Sequence, residues 1–303
     1  MKVNRIRQNV FPVLAALIWG TAFVAQSVSA DIVGPFTFNA ARSAVAFVFL
    51  LALCALLRRR RRRDFAGSAH ARPHARRDLV LGSLCCGAAL TVASNLQQKG
   101  LETTTSGKAG FITALYIVIV PVAGLLLLRR RVSRAVWIGV VLAVAGLYCL
   151  CITDDLTISV GDLYILACAF CFSAHILVID HFTQKVDGVE MSCGQFLVVT
   201  VLSLLGMALT EDPSLAALAQ CAGPILYVGL FSSGVAYTLQ ILAQKDSNPT
   251  VVTILLSLES VFAVIAGAII LHQQMSVREY IGCVIMFIAV ILAQIQFPEK
   301  QKA

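Results

Sequence analysis

The chain has 303 residues, 58% of them hydrophobic and only 13% charged, with a formal net charge of +8. Soluble domains carry about 25% charged residues, so this balance excludes a water-soluble enzyme or nucleic-acid-binding domain and indicates an integral membrane protein. Strand-like alternation over about ten residues is absent, which argues against a membrane β-barrel and leaves helices as the spanning form.

Ten apolar runs follow one another along the chain. The first five cover about Phe11–Ser29, Phe36–Leu57, Leu79–Leu96, Gly107–Leu128 and Ala135–Ile152. The other five cover about Gly161–Ile179, Met191–Leu209, Ala222–Leu242, Val251–Leu271 and Tyr280–Ile295. Each approaches the ~20 residues that a helix needs to cross a bilayer. The first run, with its basic start and Val28-Ser29-Ala30 before Asp31, has the outline of a cleavable signal peptide. It also has a counterpart later in the chain, since Ala16, Trp19-Gly20 and Arg42 fall on Ala169, Phe172-Ser173 and Gln195. The reading is therefore a retained span. The cysteines lie almost entirely inside apolar runs and read as small packing residues, Cys168 and Cys171 included.

Lys and Arg accumulate on the cytoplasmic side of membrane proteins. Ten spans with a cytoplasmic N-terminus place the arginine run from Arg58, Arg129, Arg134, Lys185 and Lys245 on that side, leaving Lys99, Lys108 and Arg278 opposite. Both termini are then cytoplasmic. The run Arg58–Arg63 reads as an anchor for anionic lipid headgroups, with no nucleic-acid partner implied.

The stretch Asn95–Leu150 overlays Thr238–Ala293 without a gap at an offset of 143, matching Gln97 to Gln240, Gly124 to Gly267, Ser133 to Ser276 and Gly139 to Gly282. Gln, Gly and Ser matches in order point to a duplication. The halves are residues 1–153 and 154–303, five spans each. An odd number inverts the second copy, and inverted repeats are the architecture of carriers that alternate around a midplane site. The expected fold is all-α, ten transmembrane helices in two inverted five-helix repeats around a central cavity.

The sequence resembles the drug/metabolite transporter superfamily, and within it the EamA family. The resemblance rests on Ala16–Phe23, on Pro35 with Arg42 and Ala46, on Pro121-Val122, on Gly161-Asp162, on Leu258–Ala263 and on Tyr280-Ile281-Gly282. It departs at Ser260, where the family pattern commonly has Pro after Leu-Glu, and at Leu271-His272, which replace the usual Gly-Glu. The first departure implies a less kinked ninth helix. The resemblance implies a basket of ten helices whose cavity is lined mainly by the first, third, fourth, sixth, eighth and ninth, with the fifth and tenth peripheral. It also implies export of small metabolites such as amino acids.

Polar residues inside spans are costly and mark the cavity independently. Candidates are Trp19, Asn95, Gln97, Gln98, Thr113, Tyr116, His175, Tyr237, Gln240, Ser257, Glu259 and Ser260. Glu259 is the one carboxylate deep in a span and suits proton exchange or an amine, against a packing role. Tyr116 is its repeat mate. Arg42 is a structural or counter-charge residue, read as snorkelling or holding architecture. Trp19 with Gly20 serves either as a gate or as helix packing. An enzyme alternative, a membrane-bound acyltransferase using His175 and Asp180, requires an extramembrane catalytic domain that the sequence lacks, and positions five apart on one helix turn ~140° from each other. Asp180 and His181 are expected to be solvated at a helix end. No Walker loop is present. The sequence thus predicts a cofactor-free secondary transporter of the bacterial inner membrane, exporting amino acids or related compounds. An uptake carrier or exchanger is the alternative, and a homodimer is left open.

Overall fold

The computed structural model describes residues 2–64, 73–104, 106–129, 132–151, 158–245, 247–270 and 275–294. Residues 65–72 of the arginine-rich connection, and Leu271-His272, lie outside them. Among the described residues every regular element is helical. The first half contributes α1 (Lys2–Ala30), α2 (Pro35–Asp64), α3 (Pro73–Gly100), α4 (Ser106–Thr113), α5 (Tyr116–Leu128) and α6 (Arg134–Cys151). After α7 (Val160–Thr183), α8 (Gly188–Thr210) and the short α9 (Leu215–Gln220), α10 (Ala222–Tyr227) passes through a π-helical stretch, Val228–Ala236, into α11 (Tyr237–Gln244). Then come α12 (Pro249–Leu256), α13 (Leu258–Ile270) and α14 (Val277–Gln294).

Eight helical stretches among the described residues are long and apolar enough to cross a bilayer, with α4–α5, α10–α11 and α12–α13 each counted as one. Of the ten apolar runs, those forming α6 and α14 make shorter helices of 18 residues each. The starts of α7, α8 and α12 are closed by side chains of their own N-caps, because orphan backbone donors are expensive where water is scarce. Ser159 and Asp162 form a capping box on α7, Asp187 caps α8, and Asn248 caps α12 with Pro249 following. The Glu211 carboxylate reaches back across the fold to accept from the Phe36 and Thr37 amides at 2.9 and 2.8 Å at the start of α2.

The two halves share more than residues. At the offset of 143, α4 falls on α12 and α6 falls on α14 with identical bounds. The interruption after Thr113 falls on the interruption after Leu256. These helices pair in a pattern that survives exchange of the halves: α6 packs on α14 and α2 on α8, while α1 against α13 answers α7 against α4 and α5. Both self-paired couples are antiparallel. Arg278, opening α14, donates to the Tyr148 carbonyl near the end of α6, and Arg58, late in α2, meets Glu190 at the start of α8 at 2.9 Å.

The ninth run is not straightened by Ser260. It is interrupted at Ser257 without proline, where hydroxyls compete for the helix carbonyls: Thr253 Oγ1 donates to the Thr250 carbonyl at 2.8 Å and Ser257 Oγ to the Ile254 carbonyl at 2.8 Å, back-bonding of the kind that weakens a helix. Asp180 is buried rather than solvated, while His181 is exposed and meets Lys185 at 2.9 Å.

Candidate functional site

A cavity opens where the interrupted helices meet. On α1, Trp19, Phe23 and Gln26 line it from one helical face, being spaced by four and three residues. Phe172 and Ile176 on α7 do the same from the second half. Arg42, Ser232 and Tyr237 close one side, and Thr113 with Leu256 borders the helix breaks. The cavity measures about 40 Å³, room for little beyond water and far below the ~300 Å³ of ordinary small-molecule sites. Admitting a metabolite in this geometry requires helices to part.

Three pairs at the offset of 143 line this one space: Gln97 with Gln240, Thr113 with Leu256, and Tyr116 with Glu259. The last pair touches, Tyr116 Oη donating to Glu259 Oε1 at 3.0 Å. Residues equivalent at this offset thus come from both halves to the wall of one space. Gln97 Nε2 adds a bond to Thr113 Oγ1 at 3.3 Å. Close approach of α1 permits the arrangement, since a Cβ on Gly20 would stand 2.7 Å from the Glu259 carbonyl and 2.6 Å from Phe262 Cβ. The π-helical stretch turns the Ser232 carbonyl toward α1, where Trp19 Nε1 donates to it at 3.3 Å. Trp19 packs on Tyr237 with ring centroids 4.8 Å apart.

Arg42 does not snorkel. It is 5% exposed, held by side chains of α1 and α2. Its Nε donates to Asn39 Oδ1 at 2.6 Å and its Nη1 to Gln26 Oε1 at 3.1 Å. These partners are neutral, so they fix the guanidinium's direction without cancelling its charge. Among the described residues no ion pair joins it to Glu259, although both line the cavity. One cavity thus carries a guanidinium and a carboxylate held apart. A buried charge without a counter-charge costs several kcal/mol, a cost that a ligand bearing both signs would relieve.

The remaining candidates lie elsewhere. Asn95 bonds Asn39, Thr91 and Ser203 and borders a separate crevice. Gln98 donates to the Gln26 carbonyl at 3.2 Å. His175 sits behind the wall, its Nε2 3.0 Å from Gln195 Oε1 and its ring edge-on to Tyr237. Ser257 is consumed by the helix break, and Ser260 is buried near Gly110. The sequence did not mark Phe23, Gln26, Phe172, Ile176, Ser232 or Leu256 as cavity residues. Gln26 carried a usable signal, a polar residue in an apolar run on the face of Trp19.

The EamA-like transporter family model matches residues 8–152 and again 159–294. An uncharacterized transporter of Archaeoglobus fulgidus is 26% identical over 97% of this chain and 88% of its own length. One from Synechocystis is 23% identical over 95% and 90%. A crystal structure with 17% identity superposes with a TM-score of 0.76, covering 95% of this chain and 96% of the other. That last likeness concerns the fold alone.

Proposed function

Since the chain belongs to the EamA-like transporter family, we propose that it is a secondary-active carrier of small zwitterionic metabolites, amino acids or close relatives, moved outward by alternating access. Ten spans in two inverted five-helix repeats, residues 1–153 and 154–303, form the machine. The observation carrying this reading is the cavity with Arg42 and the Tyr116–Glu259 pair on its walls. Arg42 takes the substrate carboxylate, and Glu259, steadied by the Tyr116 hydroxyl, takes the ammonium. Aromatic walls from Trp19, Phe172 and Tyr237 exclude water, so both charged contacts act at low dielectric.

Alternating access follows from the interrupted helices. Helix breaks near mid-membrane let half-helices rock around a fixed site, and the breaks after Thr113 and Leu256 stand beside the two cavity partners Tyr116 and Glu259. The chain is expected in the bacterial inner membrane with both termini cytoplasmic.

Counterflow in proteoliposomes tests this. Vesicles preloaded with amino acids should exchange labelled amino acid with saturation, while monoamines and monocarboxylates of similar size compete at least ~10-fold less well, the loss of one charge-assisted contact. Equal competition by the singly charged compounds would remove the zwitterion reading. Flux that never saturates would replace a carrier with a channel.

A further inference from the structure

A second space of about 570 Å³ opens among the start of α2, the last turns of α3 and the end of α8. It is of ligand size, unlike the first cavity, and it is graded along its depth. At its mouth stand Lys99 and Glu102, paired at 2.7 Å and only partly covered. Val92 lies seven residues below Lys99 on α3, about 10 Å deeper, and is 51% exposed. With Leu96 and Phe36 it makes an apolar wall, and an exposed apolar side chain on a spanning helix would face a bilayer's hydrocarbon. Charge at the interface above an apolar lateral wall is the profile of an amphiphile, not of a compact polar solute.

We infer that this crevice seats one phosphatidylethanolamine molecule, its phosphate on Lys99, its ammonium on Glu102 and an acyl chain along Val92, Leu96 and Phe36. The rim selects the headgroup. Lys99 and Glu102 offer both signs side by side, while the rim's acidic residues, Glu102 and Glu211, outnumber its lysine and repel a purely anionic head. Glu211 is not free to bind, because its two oxygens accept from the α2 amides and Thr37 Oγ1. A quaternary headgroup cannot donate a hydrogen bond to Glu102; a primary ammonium can. The floor reports to the transport cavity. Asn95 borders the crevice and its Oδ1 accepts from Asn39 Nδ2 at 3.1 Å, and Asn39 in turn fixes Arg42.

The test is native mass spectrometry of the full-length protein, delipidated in detergent and offered equal amounts of phosphatidylethanolamine, phosphatidylcholine and phosphatidylglycerol. One phosphatidylethanolamine adduct should persist at the highest activation energy, several-fold over the other lipids. Val92→Trp, at a half-exposed position that tolerates bulk, and Leu96→Trp should each cut it at least fivefold with unchanged monodispersity. Equal retention of the three lipids overturns the proposal. So does an undiminished adduct in a folded Val92→Trp protein, or displacement of the adduct by an amino acid, which would make the crevice a solute site.

Discussion

Tyr116 and Glu259 hold the same place in their respective halves and are bonded to each other, so the halves meet at a pair that duplication created and divergence made unlike. Replacing Glu259 with Gln keeps the volume and most hydrogen bonding and removes the charge. Counterflow should fall by about 10-fold or more, on the scale of a charge-assisted bond of ~1.5–3 kcal/mol, and its pH dependence should flatten while expression and monodispersity hold. An unchanged rate and profile would confine Glu259 to packing. Tyr116→Phe should impair the wild type yet add little on top of Glu259→Gln, because the hydroxyl acts through the carboxylate. Gly20 gives a purely steric counterpart. Its missing side chain would meet the backbone of α13, at Ala263 N and the Glu259 carbonyl, both 2.7 Å away. Gly20→Ala should therefore lower the melting temperature in detergent, overpacking costing ~1–3 kcal/mol. Gly223→Ala, with no neighbour within 4 Å, should leave it in place.

At the scale of elements, apolar run length gave away the long helices, because a bilayer imposes a minimum span on any continuous helix. It gave no sign of the interruptions at Ala114-Leu115 and Ser257 or of the π-helical stretch, since local hydrogen bonding decides these and leaves hydrophobicity untouched. Site residues divide along similar lines. Gln97, Tyr116, Gln240 and Glu259 were legible as polar groups that lipid would not tolerate, whereas Phe23, Phe172, Ile176 and Leu256 look like any lipid-facing residue. Asn95 shows how geometry could have sharpened the reading: two residues from Gln97, it is turned ~200° away and cannot share its cavity. The element most exposed to misreading is α1, whose end resembles a processing site. Its Trp19 and Gly20 build the cavity wall and the contact with α13, so removal would unroof the site. Mass spectrometry of membrane-extracted protein should find the residues before Asp31 retained, and a mature terminus at Asp31 would take the first helix out of the fold and overturn the ten-span arrangement.

For the whole molecule the decisive property is the relation between the halves. Direct repeats would give parallel partners, and a membrane axis along the normal would set equivalent positions on the same face. Here the self-paired helices α6 with α14 and α2 with α8 run antiparallel, and the helix bounds coincide at one offset. The inverted arrangement proposed above, with a twofold axis in the membrane plane, fits both facts and carries a consequence of its own. Every repeat-related pair of connections must lie on opposite faces of the membrane. Ser133 and Ser276 are such a pair, each just ahead of its helix and solvent-accessible. On a cysteine-free background, Ser133→Cys should react with a membrane-impermeant maleimide from one side only, and Ser276→Cys from the other. Following the arginine bias, the accessible sides should be cytoplasmic for Ser133 and external for Ser276, with Ser214→Cys sharing the second behaviour. Labelling of Ser133→Cys and Ser276→Cys from the same face would rule out inversion, and the exchange of inward and outward shapes built on it, even with the cavity intact.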